Sequence, residues 1–250
     1  MSLGRHVERK IVLLAGGILL ASAGGSYAWV ASRRPPRQRL APIPSQQSVY
    51  KIAPTYDSKV GLDECFFFLP LLRRQLVNKV YGKVLEVGAG TGRNFKYMPW
   101  KQISHITFLD ESNGMLSVLQ EKLGRYAKIH ADVDFTVQCG TPEMFEGQKY
   151  DSILQTFALC SMERPLVHLN TLISLLKPNG KLFLMEHGQS YYEIINRTLR
   201  AGRDDHRADW GCDWSKDIEA IVDACDGQIK SMKRWHFGTT YIITIEKGVY

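Results

Sequence analysis

The sequence predicts an α/β domain on a doubly wound, mostly parallel sheet with an antiparallel C-terminal strand, preceded by one transmembrane helix. Three observations predict it. Short apolar runs alternate with helical patterns from residue 59 to residue 246, a glycine-rich turn follows the first run, and a charge-free stretch of 21 residues stands near the front. Strands alternating with helices need crossover connections, which build a parallel sheet with ligands at the carboxyl ends of its strands.

Residues 1–10 are a basic tail. Residues 11–31 carry no charge and lie between Arg9 and Lys10 on one flank and Arg33, Arg34, Arg37 and Arg39 on the other. A helix of that length crosses a bilayer. Tyr27 and Trp29 sit near one end, as interfacial aromatics do, and Gly17, Ala21 and Gly25 form a small-residue row suited to a partner helix. A cleaved signal peptide ending at Ala21-Ser22-Ala23 is the rival reading. The apolar run continues eight residues past that site and stops at an arginine cluster, which favours an anchor. The heavier positive flank is C-terminal and puts the following domain on the cytosolic or mitochondrial-matrix side. Residues 32–54 hold five prolines and read as a semi-rigid spacer, leaving 55–250 as the domain.

Charge is divided in the same way. Nine Lys and Arg against two acids fall in residues 1–60, and 23 of each sign in residues 61–250, so the net charge of +7 belongs to the arm. A neutral domain lacks the field that a nucleic-acid partner requires. Cys65, Cys139, Cys160, Cys212 and Cys225 are odd in number and contain no C-x-x-C pair, which argues against a disulfide framework or a metal centre and suits a reducing compartment.

Within the domain, 65–79 has helical spacing through Phe68, Leu71, Leu72 and Leu76. Strand one is 83–87. Residues 92–99 open a short helix cut by Pro99, and strand two, 103–109, ends at Asp110. A helix over 115–123, a strand over 133–138 and a strand over 150–156 follow. A helix over 164–176 stops at Lys177-Pro-Asn-Gly180, and strand five is 181–186. A helix at 216–225 precedes two closing strands, 228–235 and 239–246.

Candidate site residues cluster at the strand ends. In Val84-Leu-Glu-Val-Gly-Ala-Gly-Thr-Gly92, Gly88, Gly90 and Gly92 admit positive φ and close approach to a ligand, and the next helix offers free N–H groups. The spacing is G-x-G-x-G, with Arg93 where the dinucleotide fingerprint would have its third glycine. Asp110 can accept two hydrogen bonds from ribose hydroxyls or cap the helix after it. Glu86, in an apolar strand, needs either a cationic ligand or a hydrogen bond that holds the loop. After strand three, Gly140-Thr-Pro-Glu143 offers Thr141 and Glu143 as polar candidates at the cleft edge. His187 and His206 are candidate general bases, and Cys160 is a packed or a functional thiol. Phe157, Trp210 and Trp214 line an apolar pocket or fill core. No H-E-x-x-H, G-x-S-x-G or P-loop is present.

The glycine turn preceded by Glu86 resembles motif I of the class I S-adenosylmethionine (SAM) methyltransferases. Leu-Glu-Val-Gly-Ala-Gly-Thr-Gly92, Lys149-Tyr-Asp-Ser-Ile153, Leu-Leu-Lys-Pro-Asn-Gly180 and Met185-Glu-His-Gly188 are similar to the methyltransferase-11 type over residues 50–247. Tyr50–Glu64 and His206–Ile218 resemble membrane-anchored, methyltransferase-like proteins of the fungal mitochondrial inner membrane. Leu159-Cys-Ser161 and Phe183-Leu-Met-Glu-His187 resemble the methyltransferase-like-7 proteins, anchored thiol methyltransferases of the endoplasmic reticulum and lipid droplets. The opening Tyr-Asp is also similar to the ubiquinone and menaquinone C-methyltransferases.

The resemblance implies a Rossmann-like fold that binds SAM through Glu86, Gly88, Ala89, Gly90, Gly92, Asp110, Thr141 and Gln155, with no metal. It further implies a small acceptor, a thiol, quinone or lipid-like molecule, met at a membrane: the mitochondrial inner membrane first and the endoplasmic reticulum second. A catalytically weak scaffold or assembly factor of the same fold is the second expectation, drawn from the missing acid after strand three and the small-residue row in the anchor.

Overall fold

The computed structural model describes residues 53–248 of the protein. The apolar stretch 11–31, with Gly17, Ala21 and Gly25, and all but the end of the spacer lie outside the described residues. Among the described residues, no helix is long and apolar enough to cross a membrane.

Five parallel strands, β1 (Gly82–Val87), β2 (Ile103–Asp110), β3 (Asp134–Cys139), β4 (Tyr150–Thr156) and β5 (Leu176–His187), precede two antiparallel ones, β6 (Gln228–Trp235) and β7 (Thr240–Glu246). They form one sheet in the order β3-β2-β1-β4-β5-β7-β6, with β7 antiparallel to both of its neighbours. The order reverses direction between β1 and β4, the switch point where such sheets leave a crevice.

Strand side chains alternate, and the two faces gather separate cores. Val84, Ile106, Phe108, Leu154 and Phe183 pack on α2 (Leu69–Val77) and α3 (Asn113–Ile129), through Leu72, Leu76, Leu116 and Leu119. Leu85, Ile153, Leu182, Leu184 and Ile243 pack on α4 (Pro165–Ser174) and α7 (Ile218–Asp223). Each buried Leu or Ile contributes roughly 1.5–3 kcal/mol, so the sheet is held from both sides.

The strands expected from the sequence are present within a few residues, with β5 the longest departure. It starts at Leu176, because Lys177-Pro-Asn-Gly180 forms an irregularity inside the strand: β4 partners shift from Leu176 to Lys181, and Asn179 takes φ 61°.

The helices need more correction. The expected helix over 65–79 is two, α1 (Tyr56–Phe66) and α2, broken at Phe68, whose φ is 54°. Pro70 has no N–H and its ring blocks the preceding turn, so it sits in the first turn of a new helix. Residues 92–99 do not form the expected α-helix. They make turns and a short 3-10 helix, Phe95–Tyr97, because Phe95 is driven into the core against Phe108 (ring centroids 4.9 Å) and Tyr126 (5.1 Å). The loop therefore has no helix N-terminus directly behind it, contrary to the sequence expectation. Residues 193–210 form α5 (Glu193–Ala201) and α6 (Arg203–Trp210), neither of which was anticipated.

Candidate active site

The cleft opens at the carboxyl ends of β1, β2 and β4. On one side it is lined by Gly88, Gly90, Asp110 and Ser112, and on the other by Tyr56, Phe157, Ser161, Met162, Trp210 and Gly211.

Gly88 has φ 65° and lies so close to β4 that an added Cβ would stand 2.7 Å from the Ala158 Cβ. Gly90, φ 56°, has no atom within 4 Å of that position other than the Gly88 carbonyl oxygen at 4.0 Å, so its missing side chain leaves the loop open to the cleft. The Ala89 N–H donates to the Leu109 carbonyl (3.0 Å) and ties the loop to β2. Asp110 accepts from the Gly90 N–H (2.8 Å, Oδ2) and the Ser112 N–H (2.8 Å, Oδ1). Burial raises its pKa, and these two N–H bonds oppose the rise. Each oxygen keeps a second lone pair for a ligand. The cap of α3 is Ser112, whose Oγ accepts from the Met115 N–H, so Asp110 is not the capping residue.

Glu86 is 1% exposed and does not line the cleft. Its Oε1 accepts from Asn94 Nδ2 (2.8 Å), while Oε2 has no partner. Desolvation pushes its pKa up to about 7 despite the Asn94 bond and the nearby Arg73. Of its two sequence-level readings, the observed bond is the one that holds the loop.

A polar network continues from this point. Arg73 Nη1 donates to Asn94 Oδ1 (2.8 Å) and Thr156 Oγ1 (3.0 Å), and Nη2 to Glu64 Oε1 (2.5 Å). Arg93 Nη2 donates to Glu64 Oε2 (2.5 Å) and Nη1 to Asp57 Oδ1 (3.1 Å), while the Thr91 hydroxyl also donates to Asp57 (2.7 Å). Lys122 pairs with Asp57 as well. Both ends of α1 are thus tied to the glycine loop. Sequence reasoning missed Arg73, Asn94 and Asp57. An arginine beside Leu72, Leu76 and Val77 on one helix, and a buried Glu86 in need of a donor, were the signals for it.

Two expected ligand residues are turned elsewhere. Thr141 is engaged with Glu143, lowering that carboxyl's pKa, and the cleft is lined instead by its neighbours Gly140 and Pro142. Gln155 is fully buried on the α4 face. It receives the His168 Nε2–H (2.7 Å) and donates to Glu186 Oε1 (3.2 Å), because alternation along β4 points position 155 away from the loop.

His187 and His206 do come together, with ring centroids 6.0 Å apart and edge-on. His206 stacks on Trp214 at 3.9 Å, and its Nε2 is buried without a partner. Burial, reinforced by His187, lowers its pKa to about 4, so it is neutral at pH 7. Burial pulls His187 down, but Cys160 beside it outweighs this and raises it to about 9. Cys212 Sγ lies 3.4 Å from His187 Nδ1. Cysteines that the sequence presents as isolated are therefore neighbours in space: Cys160, His187 and Cys212 each bring a donor atom within 4.8 Å of the others. Phe157, at φ 56°, packs its ring 5.1 Å from that of His187. A bulky residue in that region is strained, and such strain collects at functional sites.

A family profile described as a methyltransferase domain matches residues 63–237. The mitochondrial methyltransferase OMS1 of Saccharomyces cerevisiae is 36% identical over 206 residues, 77% of this chain and 44% of that protein. The thiol S-methyltransferase TMT1B of Mus musculus is 26% identical over 104 residues, 42% of each chain. The chain thus spans less than half the length of these curated relatives. In structure it is similar to the N-methyltransferase NodS of Bradyrhizobium japonicum WM9, solved with S-adenosylhomocysteine, with a TM-score of 0.59 at 15% identity over 82% of this chain and 99% of that one. With an open glycine turn, an acid at the end of β2 and this match over most of its length, the chain belongs to the methyltransferase-domain family of SAM-dependent enzymes.

Proposed function

We propose that the protein methylates a small, lipophilic acceptor, a thiol before a quinone or lipid-like molecule, beside a mitochondrial membrane to which residues 11–31 tether it. The carrying observation is the composition of the cleft. Gly88, Gly90 and Asp110 open into the same space as Tyr56, Phe157, Met162 and Trp210. A polar half suited to a nucleoside meets an apolar half suited to an acceptor.

The residues present fit SAM. Gly90 leaves the loop open, and Asp110 retains free lone pairs for ribose hydroxyls. Thr141 and Gln155 have no part in this assignment. When bound, SAM supplies an electrophilic methyl group: the acceptor atom bonds to its carbon as the carbon–sulfonium bond breaks, the electron pair staying on the departing sulfur. The protein's own contribution is to hold the acceptor in line and exclude water, and the edge-on Tyr56–Trp210 pair (6.4 Å) forms part of the cleft wall that does so. The thiol preference draws on TMT1B and the mitochondrial placement on OMS1, each an activity or location of that relative.

Calorimetric titration of the full chain in detergent with SAM tests the reading. Asp110→Ala should weaken binding about ten- to a hundredfold, as loss of charge-assisted bonds worth roughly 1.5–3 kcal/mol requires. A wild-type protein that binds no SAM would instead support the scaffold reading, as would rescue of a deletion strain by Gly90→Arg.

A further inference from the structure

Three soft or borderline donors from distant parts of the chain meet behind the wall of the cleft. Cys160 lies in the 3-10 turn after β4, His187 ends β5, and Cys212 follows α6. One donor atom from each lies within 4.8 Å of the others, with Cys212 Sγ at 3.4 Å from His187 Nδ1 and 3.7 Å from Nε2. Tetrahedral zinc, with bonds of about 2.3 Å to sulfur and about 2.0–2.1 Å to nitrogen, spaces its donor atoms by roughly 3.5–3.8 Å. The observed cluster needs only a small contraction to reach that geometry.

The donor set is selective. Two thiolates and an imidazole suit zinc and its softer congeners rather than magnesium or calcium. Structural zinc sites close with four protein ligands, whereas catalytic ones use three and keep one position open. Among the described residues no fourth His, Cys, Asp or Glu joins this group. The residues flanking it, Ala158, Ser161 and Met162 around Cys160 and Gly211 before Cys212, line the cleft, so the group lies directly behind the acceptor half.

The surroundings carry a second signal. Glu186, next to His187, is fully buried. Its Oε1 accepts from the Ala158 N–H (3.2 Å) and the Leu159 N–H (3.0 Å), fixing the turn that presents Cys160. Its Oε2 is buried without a partner. A buried outer carboxylate that orients a ligand-bearing turn is a usual companion of a metal ligand.

We propose that Cys160, His187 and Cys212 bind a zinc-class cation whose open position takes the sulfur of a thiol acceptor as its thiolate. The acceptor half of this inference rests on the methyl-transfer reading above. On binding, the acceptor exchanges its S–H bond for a metal–sulfur bond, and the proton leaves to solvent. Nothing is oxidised or reduced, since zinc holds one valence. Cys160 and Cys212 are then positioned by their metal rather than packed as inert thiols.

The test uses the full chain, produced in zinc-supplemented medium and purified in detergent under reducing conditions. Elemental analysis should find zinc near stoichiometry, and exchange with cobalt should produce thiolate-to-cobalt charge-transfer absorption. Cys160→Ser and Cys212→Ser should each abolish both, and Glu186→Gln should weaken zinc about tenfold. Circular dichroism checks the fold of each variant. If a variant does not fold, release of zinc from the wild type to a chromogenic chelator, with loss of the cobalt spectrum, gives the same answer. Metal-free wild type without a cobalt–thiolate band overturns the proposal, as does zinc unaffected by both serine variants. A Cys160–Cys212 disulfide found by mass spectrometry in place of metal overturns it in favour of a redox pair. None of these readouts uses SAM: zinc bound without SAM binding would leave the site standing and sink the methyl-transfer reading.

Discussion

Gly88 and Gly90 share a backbone conformation but differ in what surrounds them, and substitution should separate the two. Gly88→Ala adds a clash with Ala158 at 2.7 Å to the strain of φ 65°. It should lower stability by roughly 2 kcal/mol or more in urea unfolding. Gly90→Ala meets no such wall and should lose about 1 kcal/mol or less, while weakening SAM more than Gly88→Ala does relative to its effect on the fold. Equal stability losses for both would refute this contrast.

Glu86 gives a pH prediction. Its pKa rises from 4.5 in the unfolded chain to about 7 in the fold. Below pH 4.5 both states are protonated and Glu86 adds nothing to the pH dependence. Between 4.5 and 7 the folded state holds a proton that the unfolded state has released, so stability falls as pH rises, by on the order of 3 kcal/mol in full. Glu86→Gln removes that loss, and its stability advantage over wild type should grow from pH 5 to pH 8. A difference that stays flat across that range would contradict the assignment. The loop glycines and Asp110 were legible because the backbone geometry they serve is written in adjacent residues. The Cys160–His187–Cys212 cluster was not: its members are 27 and 25 residues apart, and only the β4–β5 pairing and the return from α6 bring them together.

At the scale of elements, α1 is tied down by charged groups near both of its ends, Asp57 and Glu64. Glu64 and Arg73 are both buried, and their pair also supports Asn94 beneath the glycine loop. Arg73→Ala leaves Glu64 buried with one partner fewer and should cost about 3 kcal/mol. Hydrogen exchange should show α1 opening more readily in that variant, and SAM affinity should fall with it. An unchanged exchange pattern would mean that α1 is docked by other contacts. α5, with Ile194, Ile195 and Leu199 among polar residues, could have been read from its spacing. α6, Arg203-Asp-Asp-His-Arg-Ala-Asp-Trp210, has no apolar stripe, so no periodicity could announce it. The misread helix after the loop has a different cause, since burial of Phe95 and Trp100 overrode local helical preference.

For the whole molecule, the separation of charge between arm and domain leads to a prediction about attachment. Deleting residues 1–54 should release the protein from membranes in carbonate extraction while leaving SAM affinity within about twofold, because the charge-free stretch 11–31 is the proposed anchor and lies apart from the cleft residues. Retention of the truncated protein in the membrane pellet would assign attachment to the domain surface. Insertion of β7 between β5 and β6 leaves β6 as one outer strand of the sheet, with Gln228, Lys230, Lys233 and Trp235 exposed along it. An outer strand is the place where one copy can zip onto the next. Lysines at two of its four exposed positions blunt that edge, so the late hairpin both completes the sheet and ends it in a rim that resists further pairing.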